Sequence, residues 1–217
     1  MSILSRQSPI VLVIWGLLAA SGFLALFFSR WPLSFVSFAT LALSMAPAAL
    51  ASRFSITLPL PFVLAITAFI FGSIFMGETF DFYEPLWWWD IALHGFSAIG
   101  FGLTGFLFIF MLFEGDRFAA PPFALAFLAF CLAMTVGGLW EIFEFGMDQI
   151  FGLNMQKSGL NDTMGDMIVD AFGGAIGAMS GYLYLKGAQS GLFAGAIKQF
   201  VEANRAFYRR SRDRFRK

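Results

Sequence analysis

Six stretches of this chain are each apolar over close to the length of helix that a bilayer core needs, roughly 20 residues. They run Pro9–Phe28, Leu33–Ala51, Pro59–Met76, Ile91–Phe113, Ala119–Trp140 and Met167–Leu185, and short connections join them. Only 13% of the 217 residues are charged, about half the share in a soluble domain. A water-soluble fold is excluded. The expected class is an all-α, polytopic transmembrane helical bundle of about six spans. Prolines stand near the span starts, at Pro32, Pro59, Pro61, Pro121 and Pro122, where a missing N–H costs little. Pro47 lies inside the second stretch, where it is placed to kink the helix.

Residues 1–189 then form one six-helix membrane domain, and residues 190–217 a different element. In that tail Phe193, Ile197, Phe200, Val201, Phe207 and Tyr208 recur at helical spacing, while Lys198, Arg205, Arg209, Arg212 and Arg216 occupy the other faces. This is the pattern of an interfacial amphipathic helix on an anionic cytoplasmic leaflet. Its attachment to a membrane span makes lipid headgroups, and not nucleic acid, the expected partner. Arg6 ahead of the first apolar run has the look of a signal peptide, but the run is long enough to span and reads as a retained helix.

The charges are sorted by side. With a cytoplasmic N-terminus, 12 of the 14 Lys and Arg residues fall inside and only Arg30 and Lys157 outside, whereas ten of the 14 Asp and Glu residues lie outside or in the outer membrane half. The positive-inside rule thus sets both termini in the cytoplasm. Cys131 is the only cysteine, so a disulfide or a thiolate metal site cannot form within one chain.

Three spans carry ionisable groups to one depth. Asp90 and His94 are four residues apart where the fourth span begins, and Glu141 and Glu144 are three apart at the end of the fifth. Asp162, Asp166 and Asp170 follow at four-residue steps into the sixth. Each set shares a helix face. Such residues are expensive in a membrane and normally face the bundle interior. Lysine and arginine are absent from these three spans, and Arg30 and Lys157 are the only outer basic candidates, so ion pairing is insufficient to neutralise the acids.

Two explanations remain open: carboxylates that hold protons, or a bound cation. The expected metal ligands are Asp90, His94, Glu141, Glu144, Asp166 and Asp170, with Glu141 and Asp170 as candidate catalytic groups. One imidazole with several carboxylates suits a divalent Zn, Fe or Mn ion. Plainer roles compete. Thr163-x-x-Asp166 matches a capping box, which would make Asp166 only a helix start, and Asp162 reads equally well as a cap. Asp148 shares a face with Glu141 and Glu144 and extends an acidic stripe. Gly173, Gly177 and Gly181, with Gly95, Gly100, Gly102 and Gly105 on the fourth span, are packing positions through which other membrane subunits are also candidates to dock.

The combination of Asp90-x-x-x-His94, Glu141-x-x-Glu144 and the Asp162/Asp166/Asp170 segment followed by Gly173-Gly174 resembles the YjdF-like family of bacterial inner-membrane proteins, and more distantly the VanZ-like family. The likeness covers approximately Phe75 to Leu185. VanZ-like proteins tend to have Gln where Glu144 stands and Asn near Asp170, so the first family is the better fit. The resemblance implies a site and a topology, and no reaction. Three functions fit these features: a metal-dependent enzyme acting on a lipid or envelope precursor at the outer leaflet, a proton or cation transporter, and a non-catalytic subunit or assembly factor of a larger membrane complex.

Overall fold

A computed structural model describes residues 7–113, 120–188 and 191–205. Seven helices make up these residues in the order α1 (Pro9–Phe27), α2 (Trp31–Arg53), α3 (Leu60–Ile70), α4 (Trp89–Leu112), α5 (Pro122–Phe151), α6 (Leu160–Leu185) and α7 (Leu192–Ala203), and α3 continues as a π-helical stretch, Phe71–Thr79. Six of these, counting α3 with its extension, are long and apolar enough to cross a membrane. The all-helical class is therefore correct.

Local chemistry accounts for most helix ends. The Ser8 hydroxyl accepts the Val11 amide at 3.2 Å just ahead of Pro9, a polar N-cap beside a preorganised first residue. Pro32, Pro61 and Pro122 occupy the first turns of α2, α3 and α5. Pro47 lies inside α2, which nonetheless runs unbroken to Arg53. Gly152, at φ 67°, stops α5; only glycine enters this left-handed conformation at no steric cost.

The chain divides into two compact units. The first contains α1, α2 and α3, packed on one another. Its interior is unusual in being lined by small hydroxyls: Ser34, Ser37, Thr40 and Ser44 along one face of α2, and Thr67 on α3, are all buried. The α2 hydroxyls of Ser37, Thr40 and Ser44 return to carbonyls of their own helix at 2.7, 2.7 and 2.9 Å, which lets small polar residues sit in an apolar interior at little cost. In the same unit the Asn204 side chain bonds both the amide and the carbonyl of Thr57, at 2.7 and 2.8 Å.

The second unit contains α4, α5 and α6, and glycines set its spacing. A Cβ on Gly102 would meet the Gly174 carbonyl oxygen at 2.8 Å and Gly177 Cα at 3.0 Å, and one on Gly173 would meet Gly95 O and Ala98 Cβ at 2.8 Å. Gly181 takes the Phe106 ring in the same way. These glycines let α4 and α6 approach backbone to backbone. Gly100 does not belong with them, because open space surrounds it.

Polarity in this unit is inverted relative to a soluble protein. His94 on α4 and Glu141, Glu144, Asp166 and Asp170 on α5 and α6 are buried, while Leu139, Ile142, Phe143, Ile168 and Phe172 of α5 and α6 lie exposed. Hydrocarbon outside and polar groups inside is the arrangement a bilayer selects.

Of the tail, α7 has Ala194, Ile197 and Phe200 buried on one face. Phe207, Tyr208, Arg209, Arg212 and Arg216 lie outside the described residues, as do Arg6, Arg117 and the last residues of the chain.

Candidate functional site

The helices run further than their apolar stretches, and the excess carries the acids. Hydropathy ends the fifth span at Trp140, yet α5 continues for eleven residues to Phe151; α6 begins at Leu160, seven residues ahead of Met167. Glu141 and Glu144 therefore sit inside a helix, on its buried face. Asp162, Asp166 and Asp170 descend one face of α6, and Asp90 and His94 one face of α4.

The capping-box reading of Thr163 and Asp166 fails. Gly159 occupies the N-cap position of α6 with no side-chain cap, and the Thr163 hydroxyl instead accepts from Gln156 Nε2 at 2.7 Å. Asp166 is left buried at 4% exposure. Asp162 stays in the first turn, where a helix N-terminus favours negative charge. Asp148 also leaves the acidic stripe: its carboxylate accepts the amides of Met155 and Gln156 at 2.7 and 3.0 Å, which folds the connection between α5 and α6 back over the end of α5. That connection carries Lys157, whose ammonium stands 3.7 Å from Asp90 Oδ2.

His94 is the centre of the arrangement. Its Nδ1 lies 3.3 Å from Asp170 Oδ1, and its Nε2 lies 3.9 Å from Glu141 Oε1. With the proton on Nδ1, the ring donates to Asp170 and presents the Nε2 lone pair towards Glu141. The 3.9 Å gap is too long for a hydrogen bond, but it is within the roughly 4 Å that two donor atoms on one metal ion can span. Ligand atoms of His94, Glu141 and Asp166 all lie within 4.8 Å of one another. Asp90, Asp162 and Asp166 form a second such group, less buried than the first.

Glu141 is the anomaly. At 5% exposure it has the Thr163 hydroxyl as a polar neighbour, but no hydrogen bond of sound geometry reaches either of its oxygens from the described residues. Asp170 Oδ2 is likewise buried without a partner. Glu144 differs, since Trp140 Nε1 donates to its Oε1 at 2.9 Å. All six expected ligand residues thus gather in one unit: His94, Glu141 and Asp166 converge, Asp170 stands behind the imidazole, Asp90 is one turn away on α4, and Glu144 is occupied by Trp140.

Sequence reasoning did not single out Gly137. It faces Asp170 from α5, and a Cβ there would run into the Asp170 carboxylate. A glycine in the span opposite the deepest acid was the available signal.

The family model "Predicted membrane protein (DUF2238)" matches residues 9–187. The chain belongs to this family. All six candidate spans and the whole site fall within the matched residues. A Thermotoga maritima protein described as "Uncharacterized protein" is 36% identical over 110 residues, 51% of this chain. The match spans 56% of that relative's length. No solved structure matches.

Proposed function

We propose that this DUF2238 membrane protein is a metal-dependent enzyme of the bacterial inner membrane, holding a divalent Zn, Fe or Mn ion among His94, Glu141 and Asp166. One observation carries the reading. Glu141 is a buried carboxylate that no hydrogen bond of sound geometry reaches from the described residues, and it faces an imidazole nitrogen whose ring is fixed from behind by Asp170. A carboxylate holding the far nitrogen of a histidine is the usual second contact of a metal-bound imidazole, because it sets the tautomer and the ring orientation. An unpaired carboxylate in an apolar interior costs several kcal/mol, and a cation at this point removes that cost. The donor set of one imidazole and carboxylate oxygens fits these three metals.

In this reading His94, Glu141 and Asp166 hold the ion, and Asp170 positions His94. Asp90 and Glu144 border the centre. A metal so held supplies a Lewis acid for a phosphoryl or carbonyl oxygen, or an activated water. The lysine and arginine distribution orients the centre towards the periplasm, with the basic tail on the anionic cytoplasmic leaflet. Substrates within reach are lipids or envelope precursors of the outer leaflet. The YjdF-like resemblance agrees with this placement.

Reconstitution in vesicles of bacterial lipid extract tests the reading. Wild-type protein should convert a lipid or lipid-linked precursor into a product detectable by mass spectrometry, and chelation or Glu141→Gln should abolish that conversion. If metal is bound and no lipid changes, a structural centre in a membrane assembly replaces catalysis as the function.

A further inference from the structure

The acids around His94 form two overlapping donor sets, and the overlap has a regular geometry. His94, Glu141 and Asp166 make one; Asp90, Asp162 and Asp166 make the other. On α4, Asp90 precedes His94 by four residues, and on α6, Asp162 precedes Asp166 by four. Each helix therefore offers a second donor about one turn, roughly 6 Å along the axis, nearer its start. Asp166 is common to both sets, and a carboxylate has two oxygens with which to bridge two ions.

Three further observations point to cations at this cluster. Glu141 of the inner set is 95% buried, and no hydrogen bond of sound geometry reaches its oxygens from the described residues. The Lys157 ammonium already stands at the rim of the second set, 3.7 Å from Asp90. Charge agrees with two: with every carboxylate ionised and His94 a neutral ligand, Asp90, Glu141, Glu144, Asp162, Asp166 and Asp170 carry six formal negative charges against the one ammonium of Lys157. One divalent ion leaves three uncompensated, whereas two leave one, and a low-dielectric interior favours the smaller imbalance.

We infer that the chain holds two divalent ions bridged by Asp166: an inner one on His94 and Glu141, and an outer one on Asp90 and Asp162. The inference rests on the metal-centre reading above and extends it. The two ions differ in kind. The inner set includes an imidazole and is buried, which selects a transition metal, whereas the outer set is all carboxylate and partly exposed, which suits Mg, Mn or another hard cation.

Manganese serves both sets and reports on each. Full-length protein in detergent is stripped with chelator, dialysed against Mn2+, and read by elemental analysis and electron paramagnetic resonance. Two ions per chain with an exchange-coupled signal are expected. Asp162→Asn and, separately, Asp90→Asn should each reduce this to one ion with an uncoupled six-line signal, while thermal unfolding confirms that the variants are folded. One ion per chain, unchanged by either substitution, overturns the second ion and leaves the His94 centre standing. Two uncoupled ions overturn the Asp166 bridge. Protein that takes up no manganese, zinc or iron sinks the metal-centre reading itself.

Discussion

His94 is useful because its two nitrogens have different neighbours. Asp170 holds Nδ1 at 3.3 Å, and Nε2 is left facing Glu141. Asp170→Asn keeps the volume but weakens the hold on the imidazole, so metal affinity should fall about 10- to 100-fold with little change in fold, as competition with a chelating dye will measure. Glu141→Gln has a more diagnostic sign. In metal-free protein the substitution removes a buried charge that lacks a partner, so apo Glu141→Gln should melt no lower than apo wild type, and higher by the equivalent of about 1–3 kcal/mol. The metal-loaded order should reverse. A Glu141 that merely buttresses the fold would instead lower the apo melting temperature. Asp90 and His94 were readable as a pair from their spacing, because helical periodicity fixes a shared face. Which nitrogen meets which acid was not, since it depends on three separate helices. Asp148 looked like another member of the stripe, but it is consumed by the amides of Met155 and Gln156.

The elements explain why the site lies where it does. Apolar content stops at Trp140 because Glu141 and Glu144 follow, yet the helix continues to its glycine stop, since its buried face is polar and its exposed face remains Ile142, Phe143 and Phe145. Span boundaries drawn from hydropathy therefore fell short at the positions where the site begins. The glycine stripe on α6 was legible and has the packing role expected of it, whereas Gly100 was indistinguishable in sequence from Gly102 and has no neighbour. Gly137 offers the sharpest test at this scale. Gly137→Ala gains helix propensity, worth about 1 kcal/mol, but its methyl group displaces the Asp170 carboxylate. Metal affinity should drop at least about tenfold, as with a lost contact behind a ligand, while helix content by circular dichroism is unchanged. Gly100→Ala, facing open space, should leave metal binding unaltered.

At the scale of the whole molecule, the family match over residues 9–187 and the six candidate spans define a membrane protein. This much was written in the apolar stretches themselves. The polar seam of α2 was not recognised in the sequence, because Ser34, Ser37, Thr40 and Ser44 are dispersed among apolar residues and satisfy themselves on their own helix. Orientation is testable through the sole cysteine. With Cys131→Ala as background, Lys157→Cys should react with a membrane-impermeant maleimide in intact spheroplasts, and Arg53→Cys only after permeabilisation. The opposite labelling pattern would invert the site to the cytoplasmic face. Buried Glu141, which no hydrogen bond of sound geometry reaches from the described residues, stands beside His94 to hold an ion in the proposed function. Its most direct test is the metal content of full-length protein stripped with chelator and dialysed against zinc, iron(II) and manganese in turn, with His94→Ala and Glu141→Gln alongside. At least one divalent ion per wild-type chain is expected, with loss of the His94-centred ion in both variants; wild-type protein that retains none of the three metals would leave Glu141 and His94 without the ion assigned to them.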